Sequence, residues 1–119
     1  MILAKLQQFC ATLPQVTSDV KWGADLVFSI DAKMFAVFGV DNGKPSSVGF
    51  KCDPERFLEL TDQDGIIPAP YLARAHWVRV EKAGALSDAD ARALVRRSYA
   101  LVASKLSKKR YNELRELLG

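Results

Sequence analysis

The residues of this chain best suited to chemistry are its two cysteines and its single histidine. Cys10 and Cys52 form no C-x-x-C pair, and His76 is the only histidine among 119 residues. A catalytic thiol usually needs a neighbouring base, most often histidine. Cys52 lies just before a predicted helix, whose dipole can lower a thiol pKa. A Cys52/His76 pair is therefore conceivable if their strands are neighbours, but two free, buried thiols are the favoured interpretation.

Other catalytic and cofactor signatures are absent from the sequence. It contains no glycine-rich phosphate-binding motif, no H-E-x-x-H zinc motif and no G-x-S-x-G elbow. The carboxylate pairs Asp62/Asp64 and Asp88/Asp90 lie at predicted helix ends, where capping and the helix dipole account for them. We therefore predict a non-enzymatic protein with no catalytic residue, no metal site and no cofactor.

A binding function is suggested by the segment GIIPAPYLARAHWVRVE, residues 65–81. Its prolines keep the chain around them stiff and extended. On a strand, His76 and Trp77 point to opposite faces, which favours Trp77 in the core and His76 hydrogen-bonded near the surface. The alternative is a groove whose aromatic and cationic side chains suit an anionic planar or phosphorylated ligand. Its residues would be Trp22, Lys51, Tyr71, His76 and Trp77.

Positive charge accumulates toward the C-terminus. Residues 1–86 carry nine Lys and Arg against ten Asp and Glu, whereas residues 87–119 carry eight against four. This asymmetry suits a polyanionic partner, although a solvated helix face is the simpler interpretation. A nucleic acid would be held mainly by its phosphates, with steep salt dependence. The candidate contacts are Lys33, Lys44, Lys51, Arg74, Arg79, Arg97, Lys105, Lys108, Lys109 and Arg110.

One domain, residues 1–119, must position all of these side chains. The length fits a single domain, and an apolar content of 49% supplies one hydrophobic core. Lys5, Gln7 and Gln8 interrupt the apolar residues at the N-terminus. We therefore expect no secretory signal, no membrane partner and a cytoplasmic location.

Helical periodicity predicts a first helix over residues 2–12, followed by a polar connector over residues 15–25. Asp53 is the predicted N-cap of a second helix. The strongest helical pattern begins at Ser87, which forms a capping box with the acidic residue three positions later. A last short helix can start at Ser107.

Three strands are predicted from the short apolar runs LVFSI, KMFAVFGV and SSVGFKC. Asn42-Gly43 is a strong turn signal between the second and third. The second run, Met34 to Val40, is nearly all apolar and should lie in the middle of the sheet. His76 to Val80 predicts a fourth strand. The fold class is therefore α+β, with an antiparallel sheet of about four or more strands and helices packed on one face.

Several short motifs, in order, resemble the MmcQ/YjbR family of small bacterial proteins. They are Trp22-Gly23, Lys33-Met34-Phe35-Ala36, Lys51-Cys52-Asp53-Pro54-Glu55, Pro68-Ala69-Pro70-Tyr71 and His76-Trp77. The resemblance implies a CyaY-like two-layer sandwich. It also implies binding of double-stranded DNA by wing-like strand tips, for which a small-ligand or protein partner is the alternative.

Overall fold

Six antiparallel strands form one sheet in the computed structural model, which describes residues 1–119. In chain order the strands are β1 (Thr17–Lys21), β2 (Asp25–Ile30), β3 (Lys33–Asp41), β4 (Lys44–Lys51), β5 (Ile66–Pro68) and β6 (Trp77–Val80). They lie side by side in the order β1-β2-β3-β4-β6-β5. The predicted α+β class is confirmed, and β3 lies inside the sheet as its apolar sequence predicts.

Four helices accompany the sheet: α1 (Leu3–Thr12), α2 (Pro54–Thr61), α3 (Asp88–Ala103) and α4 (Lys108–Leu118). Helices α1 and α3 pack on one face of the central strands, and α4 packs against α3. Helix α2 lies beside β5 and β6. None of these helices combines the length and apolar character that a membrane span requires.

The hydrophobic core lies between the sheet and helices α1 and α3. Phe28, Ala36, Phe50 and Val78 stand side by side on four neighbouring strands and are all buried in this core. Aromatic rings fill much of the space, as in the edge-to-face pair of Phe28 and Phe38, whose centroids are 5.7 Å apart. Such pairs add to the stabilisation from apolar burial alone.

Ser98 joins α3 to the ends of two strands. Its hydroxyl donates a hydrogen bond to the carbonyl oxygen of Phe35 at 2.7 Å. The same hydroxyl accepts a hydrogen bond from the backbone N–H of Lys51 at 3.0 Å. Because Ser98 is fully buried, these bonds satisfy backbone groups that would otherwise lack a partner.

The helix starts confirm two predicted caps and modify a third. Ser87 accepts a hydrogen bond from the N–H of Asp90, and Ser107 caps α4 in the same way. Asp53 stands at the predicted N-cap position of α2, but its side chain makes no capping bond. Its carboxylate instead accepts two hydrogen bonds from Arg97 on α3, so the residue connects two helices.

Strands β1 and β5 and the first residue of β6 differ from the sequence prediction. The predicted connector over residues 15–25 contains β1, whose exposed residues show no apolar alternation and which forms only by pairing with β2. Strand β5 has three residues against the five of β1, and it too is absent from the strands predicted from sequence. The fourth predicted strand begins at Trp77 rather than at His76, because His76 has a φ of 62° and ends a turn of 3-10 helix.

Candidate functional site

The sheet face opposite α1 and α3 is referred to below as the open face. Side chains alternate along a strand, so the neighbours of the core residues point to this face. Val27, Val37, Gly49 and Arg79 stand side by side across four strands in this register. This row differs from the core row beside it, because it contains a glycine and a cation.

A cavity of about 530 Å³ lies on the open face. We call it the sheet groove, and it is lined by Trp22, Asp25, Met34, Val37, Gly39, Ser47, Gly49, Ala69, Pro70, Tyr71, Leu72, Trp77 and Arg79. Strands β2, β3, β4 and β6 supply its floor. The β1–β2 turn and the segment after β5 supply its two ends. Its volume lies in the range of small-molecule sites.

Two glycines keep the floor of the groove low. A Cβ added to Gly49 would lie 3.5 Å from the carbonyl oxygen of Val78 and 3.9 Å from Trp77, an ordinary contact distance. A Cβ added to Gly39 would lie 2.5 Å from the hydroxyl of Ser47, so that hydroxyl would have to move. Gly39 also lies at the irregularity in the β3–β4 register, whereas Gly49 pairs regularly.

Two exposed aromatic residues stand at the ends of the groove on strained backbone. Trp22 has a φ of 51° and is 68% exposed, and Tyr71 has a φ of 66° and is fully exposed. A bulky residue in the left-handed region costs about 1–2 kcal/mol. Both residues lie in hydrogen-bonded turns, closed by the N–H of Ala24 on the carbonyl of Lys21 and by the N–H of Leu72 on the carbonyl of Ala69, and these turns place the two rings at the ends of the groove.

Trp77 is buried, as predicted, but on the open face rather than in the main core. It lies near Gly49 in the groove and does not belong to the cluster beneath the helices. Its indole therefore forms an apolar part of the groove floor. The period-2 alternation starting at Trp77 also places Arg79 on the same face.

Arg79 supplies the groove with an unpaired cation. Its Nε atom is buried and has no hydrogen-bond partner within the protein, and its guanidinium forms no ion pair. Buried polar groups in native proteins nearly always have a partner. The other charged side chain lining the groove is Asp25. An anionic group in the groove would give the guanidinium the charged partner that the protein does not supply.

Three of the five residues predicted for a ligand groove line this cavity, namely Trp22, Tyr71 and Trp77. Lys51 lies outside its lining, and its ammonium donates to the backbone oxygen of Ala75. The imidazole of His76 also lies elsewhere, because it packs edge-on against Phe57 of α2 at 5.7 Å.

Sequence reasoning missed the roles of Asp25, Gly39 and Gly49, and it assigned Arg79 only to nucleic acid. Alternation along β6 offered a signal for Arg79, since Trp77 and Arg79 are two residues apart and must share a face. No comparable signal marked Asp25, which enters the groove through the pairing of β2 with β3.

The two thiols lie away from this groove, and both are free and buried as predicted. The Sγ atom of Cys52 donates to the backbone oxygen of His76 at 3.3 Å, so the contact does not involve the imidazole. Burial raises the pKa of the Cys52 thiol, and the negative charge of Asp53 adds to this effect. Burial likewise raises the pKa of Cys10 to about 12. Both environments disfavour the nucleophilic thiolate.

Two of the cations predicted to contact nucleic acid are engaged within the protein. Arg97 donates two hydrogen bonds of 2.9 Å to Asp53. Arg110 donates to both carboxylate oxygens of Asp31, at 2.7 and 2.9 Å, and to the side chain of Gln15. These bonds lower the pKa values of Asp31 and Asp53 and raise those of the two arginines.

Six of the remaining predicted contacts are exposed and form no ion pair. They are Lys33, Lys44, Arg74, Lys105, Lys108 and Lys109. Lys33 and Lys44 begin successive antiparallel strands and therefore stand at opposite ends of the sheet. The bond between Arg110 and Asp31 holds the start of α4 at the end that carries Lys33. The predicted contacts therefore do not form one continuous row.

Comparison with known proteins identifies related sequences and structures. A family model described as YjbR matches residues 11–101. Protein DR2400 of Deinococcus radiodurans, with a domain described as DUF419, is 28% identical, with a TM-score of 0.80 over 95% of this chain and 87% of that one. A Pseudomonas syringae protein shares the fold at 22% identity, with a TM-score of 0.68 over 86% of this chain and 99% of that one. No curated protein gave a significant match.

Proposed function

The chain belongs to the YjbR family, and we propose that it is a non-enzymatic protein that binds a small, planar, anionic ligand in the sheet groove. The observation that carries this proposal is the guanidinium of Arg79, which forms no ion pair within the protein, in a cavity with two exposed aromatic residues. A ligand of this class explains the cation and the aromatic side chains together.

The groove offers complementary contacts for the two parts of such a ligand. The guanidinium of Arg79 can donate charge-assisted hydrogen bonds to the anionic group, and such bonds are roughly twice as strong as neutral ones. The ring can lie against Trp22, Tyr71 or Trp77. The glycine floor lets a flat molecule approach the sheet backbone closely.

A binding role without catalysis fits the ionisable side chains around the groove. Cys52 and His76, the residues considered for nucleophilic chemistry, do not line it. The raised pKa of Cys52 further disfavours the thiolate. The charged and phenolic side chains that line the groove are those of Arg79, Asp25 and Tyr71. Positioning a ligand is the simplest use of this set.

The test uses two planar anions as probes, 4-hydroxyphenylacetate and adenosine 5′-monophosphate. Each is titrated into the full-length, 15N-labelled chain while backbone amide shifts are recorded. We expect at least one probe to shift amides of β3, β4 and β6, and Arg79→Gln to weaken that binding about tenfold or more.

Arg74→Gln is the matched control, because it removes the same charge from an exposed residue outside the groove. This variant should bind as the unmodified protein does. If neither probe shifts groove amides, or if the Arg74 and Arg79 variants weaken binding equally, the proposal is wrong.

Double-stranded DNA is a second candidate partner, favoured by the exposed lysines at one end of the sheet. Lys33, Lys108 and Lys109 form no ion pair there, and the bond between Arg110 and Asp31 holds α4 near the β2–β3 turn. Contacts of this kind would be made mainly to phosphates.

Fluorescence anisotropy with a labelled DNA duplex tests this second candidate. Binding should weaken steeply as salt rises, and replacing Lys108 and Lys109 by glutamine should lower the salt dependence by about two charges. Affinity weaker than about 100 μM even at low salt would exclude DNA as the partner.

A further inference from the structure

We infer that the ligand of the sheet groove is an aromatic monocarboxylate with a hydrogen-bond donor at its opposite end. This inference rests on the proposed function and specifies the class of ligand. It follows from the charges that line the groove, from the donor geometry of arginine, and from the distance between the two charged residues.

The charges favour a ligand with a single negative charge. One cation, Arg79, and one carboxylate, Asp25, line the cavity. A carboxylate ligand would balance Arg79 and leave Asp25 to accept a hydrogen bond. A phosphate monoester carries a charge of about −1.5 to −2 at neutral pH. It would bring excess negative charge into a groove that offers no second cation.

The guanidinium of Arg79 also fits a carboxylate. Its Nε is buried without a partner, so the two terminal nitrogens are the atoms that a ligand in the groove can reach, and they present a pair of N–H groups. A carboxylate accepts both at once in the planar, bidentate arrangement that arginine favours. Lysine cannot reproduce this arrangement, because its ammonium is a point charge.

The separation of Arg79 and Asp25 sets the length of the ligand. Arg79 lies on β6 and Asp25 on β2, with β3 and β4 between them. Arg79 stands in the row of Val27, two residues along β2 from Asp25, so three strand spacings and this offset place their backbones about 16 Å apart. Both side chains line the cavity and take up part of that distance. The remainder suits one substituted aromatic ring with polar groups at its two ends.

The ends of the groove favour a small ring over a polymer. Trp22 and Tyr71 belong to opposite margins of the sheet, beside β1 and after β5 respectively. Both side chains line the same cavity of about 530 Å³, a size that suits a small molecule enclosed on several sides. An extended strand of nucleic acid would require a longer series of cations along its path.

The experiment compares four related probes by amide shifts of the full-length, 15N-labelled chain. They are 4-hydroxyphenylacetate, phenylacetate without the hydroxyl donor, 4-hydroxyphenylacetamide without the charge, and adenosine 5′-monophosphate with about two charges. We expect 4-hydroxyphenylacetate to bind tightest. Loss of the charge should weaken binding about tenfold or more, and loss of the donor should weaken it about fivefold.

Three variants assign these preferences to the two charged residues. Arg79→Lys keeps the positive charge and should still weaken 4-hydroxyphenylacetate about fivefold, because the paired donors are lost. Asp25→Asn should improve the binding of adenosine 5′-monophosphate, because it removes the repelling carboxylate. Arg74→Gln should leave all four affinities unchanged.

The outcomes separate this inference from the function on which it rests. If adenosine 5′-monophosphate binds tighter than the carboxylates and shifts groove amides, the ligand class is wrong and the binding function stands. If the neutral amide binds as tightly as the carboxylate, the role given to Arg79 is wrong. If no probe shifts groove amides, both proposals are overturned.

Discussion

The two faces of the sheet differ in what their side chains do, although the same strands supply both. On the helix-covered face, Phe38 and Phe50 are fully buried in the main core. On the open face, the next residues along those strands include Gly39 and Gly49, which leave a cavity. Stability is therefore concentrated on one face, and the other is left free to carry a function.

The aromatic residues show the same division. Phe35 and Tyr99 pack edge-to-face in the core, with centroids 5.4 Å apart, and the Tyr99 hydroxyl donates to the carbonyl of Pro14 at 2.7 Å. Trp22 and Tyr71 are exposed and lie on strained backbone. The first pair stabilises the fold, whereas hydrogen-bonded turns hold the second pair at the ends of the groove.

The largest expected effect on stability comes from removing a buried side chain on the helix-covered face of the sheet. Phe50→Ala should lower the free energy of unfolding by about 3–5 kcal/mol, because it opens a cavity in the core. Trp22→Ala removes a larger side chain from the open face and should change stability by only about 0.5 kcal/mol. Urea denaturation of both variants measures the difference. Equal losses would show that the two faces do not differ as described.

A smaller loss of stability is expected where α3 meets the sheet. Ser98→Ala should cost about 1–3 kcal/mol, because the Phe35 carbonyl and the Lys51 N–H lose a buried partner. Ser104→Ala is the matched control, since that serine is exposed near the end of the same helix. Denaturant midpoints should be lowered by the first substitution only. A similar decrease in both denaturant midpoints would show that Ser98 contributes no more to stability than Ser104 does.

The ion pair between Arg97 and Asp53 should make stability depend on pH. Its hydrogen bonds lower the pKa of the Asp53 carboxyl in the folded protein. The pair therefore stabilises fully above the unfolded pKa of about 3.9, and this contribution disappears as pH falls through the lower folded value. Urea midpoints recorded from about pH 7 to about pH 3 should fall less in Arg97→Gln than in the unmodified protein.

Arg92→Gln provides the comparison for that pH series, since Arg92 is exposed on the same helix and forms no ion pair. Its acid profile should match that of the unmodified protein. If the Arg97 variant also retains the full acid dependence, the Asp53 carboxyl is not its source.

The smallest change in stability is expected at the mouth of the groove. Tyr71→Gly removes a fully exposed ring and relieves a positive φ. Stability should therefore stay constant or rise by up to about 1 kcal/mol, while binding of 4-hydroxyphenylacetate falls. Tyr71→Phe should retain binding, because it keeps the ring. A clear loss of stability in Tyr71→Gly would assign the tyrosine to the fold instead.

Much of the fold could be predicted from local patterns. The apolar sequence of β3 predicted its position inside the sheet, and Ser87 marked the start of α3. Strand β1 could not be predicted in this way, because four of its five residues are polar, four are exposed, and only pairing with β2 makes it a strand. The position of His76 was also missed, since its left-handed backbone depends on the turn that it ends.

The candidate site was predicted only in part. Trp22, Tyr71 and Trp77 were proposed to share a groove because of their chemical type, and the fold places all three around one cavity. Lys51 has the right chemistry, but its ammonium is held by the carbonyl of Ala75. Arg79 was chosen for its charge alone, and the sequence does not indicate that its Nε is buried without a partner.

The sequence alone predicted the four helices and the strands β2, β3, β4 and β6, because periodicity and capping act over a few residues. Only the tertiary structure decided which residues meet on the open face. Asp25 and Arg79 are far apart in the chain, and the strand order β2-β3-β4-β6 brings them to one cavity. That order is fixed by pairing and packing across the whole sheet, so no local pattern can contain it.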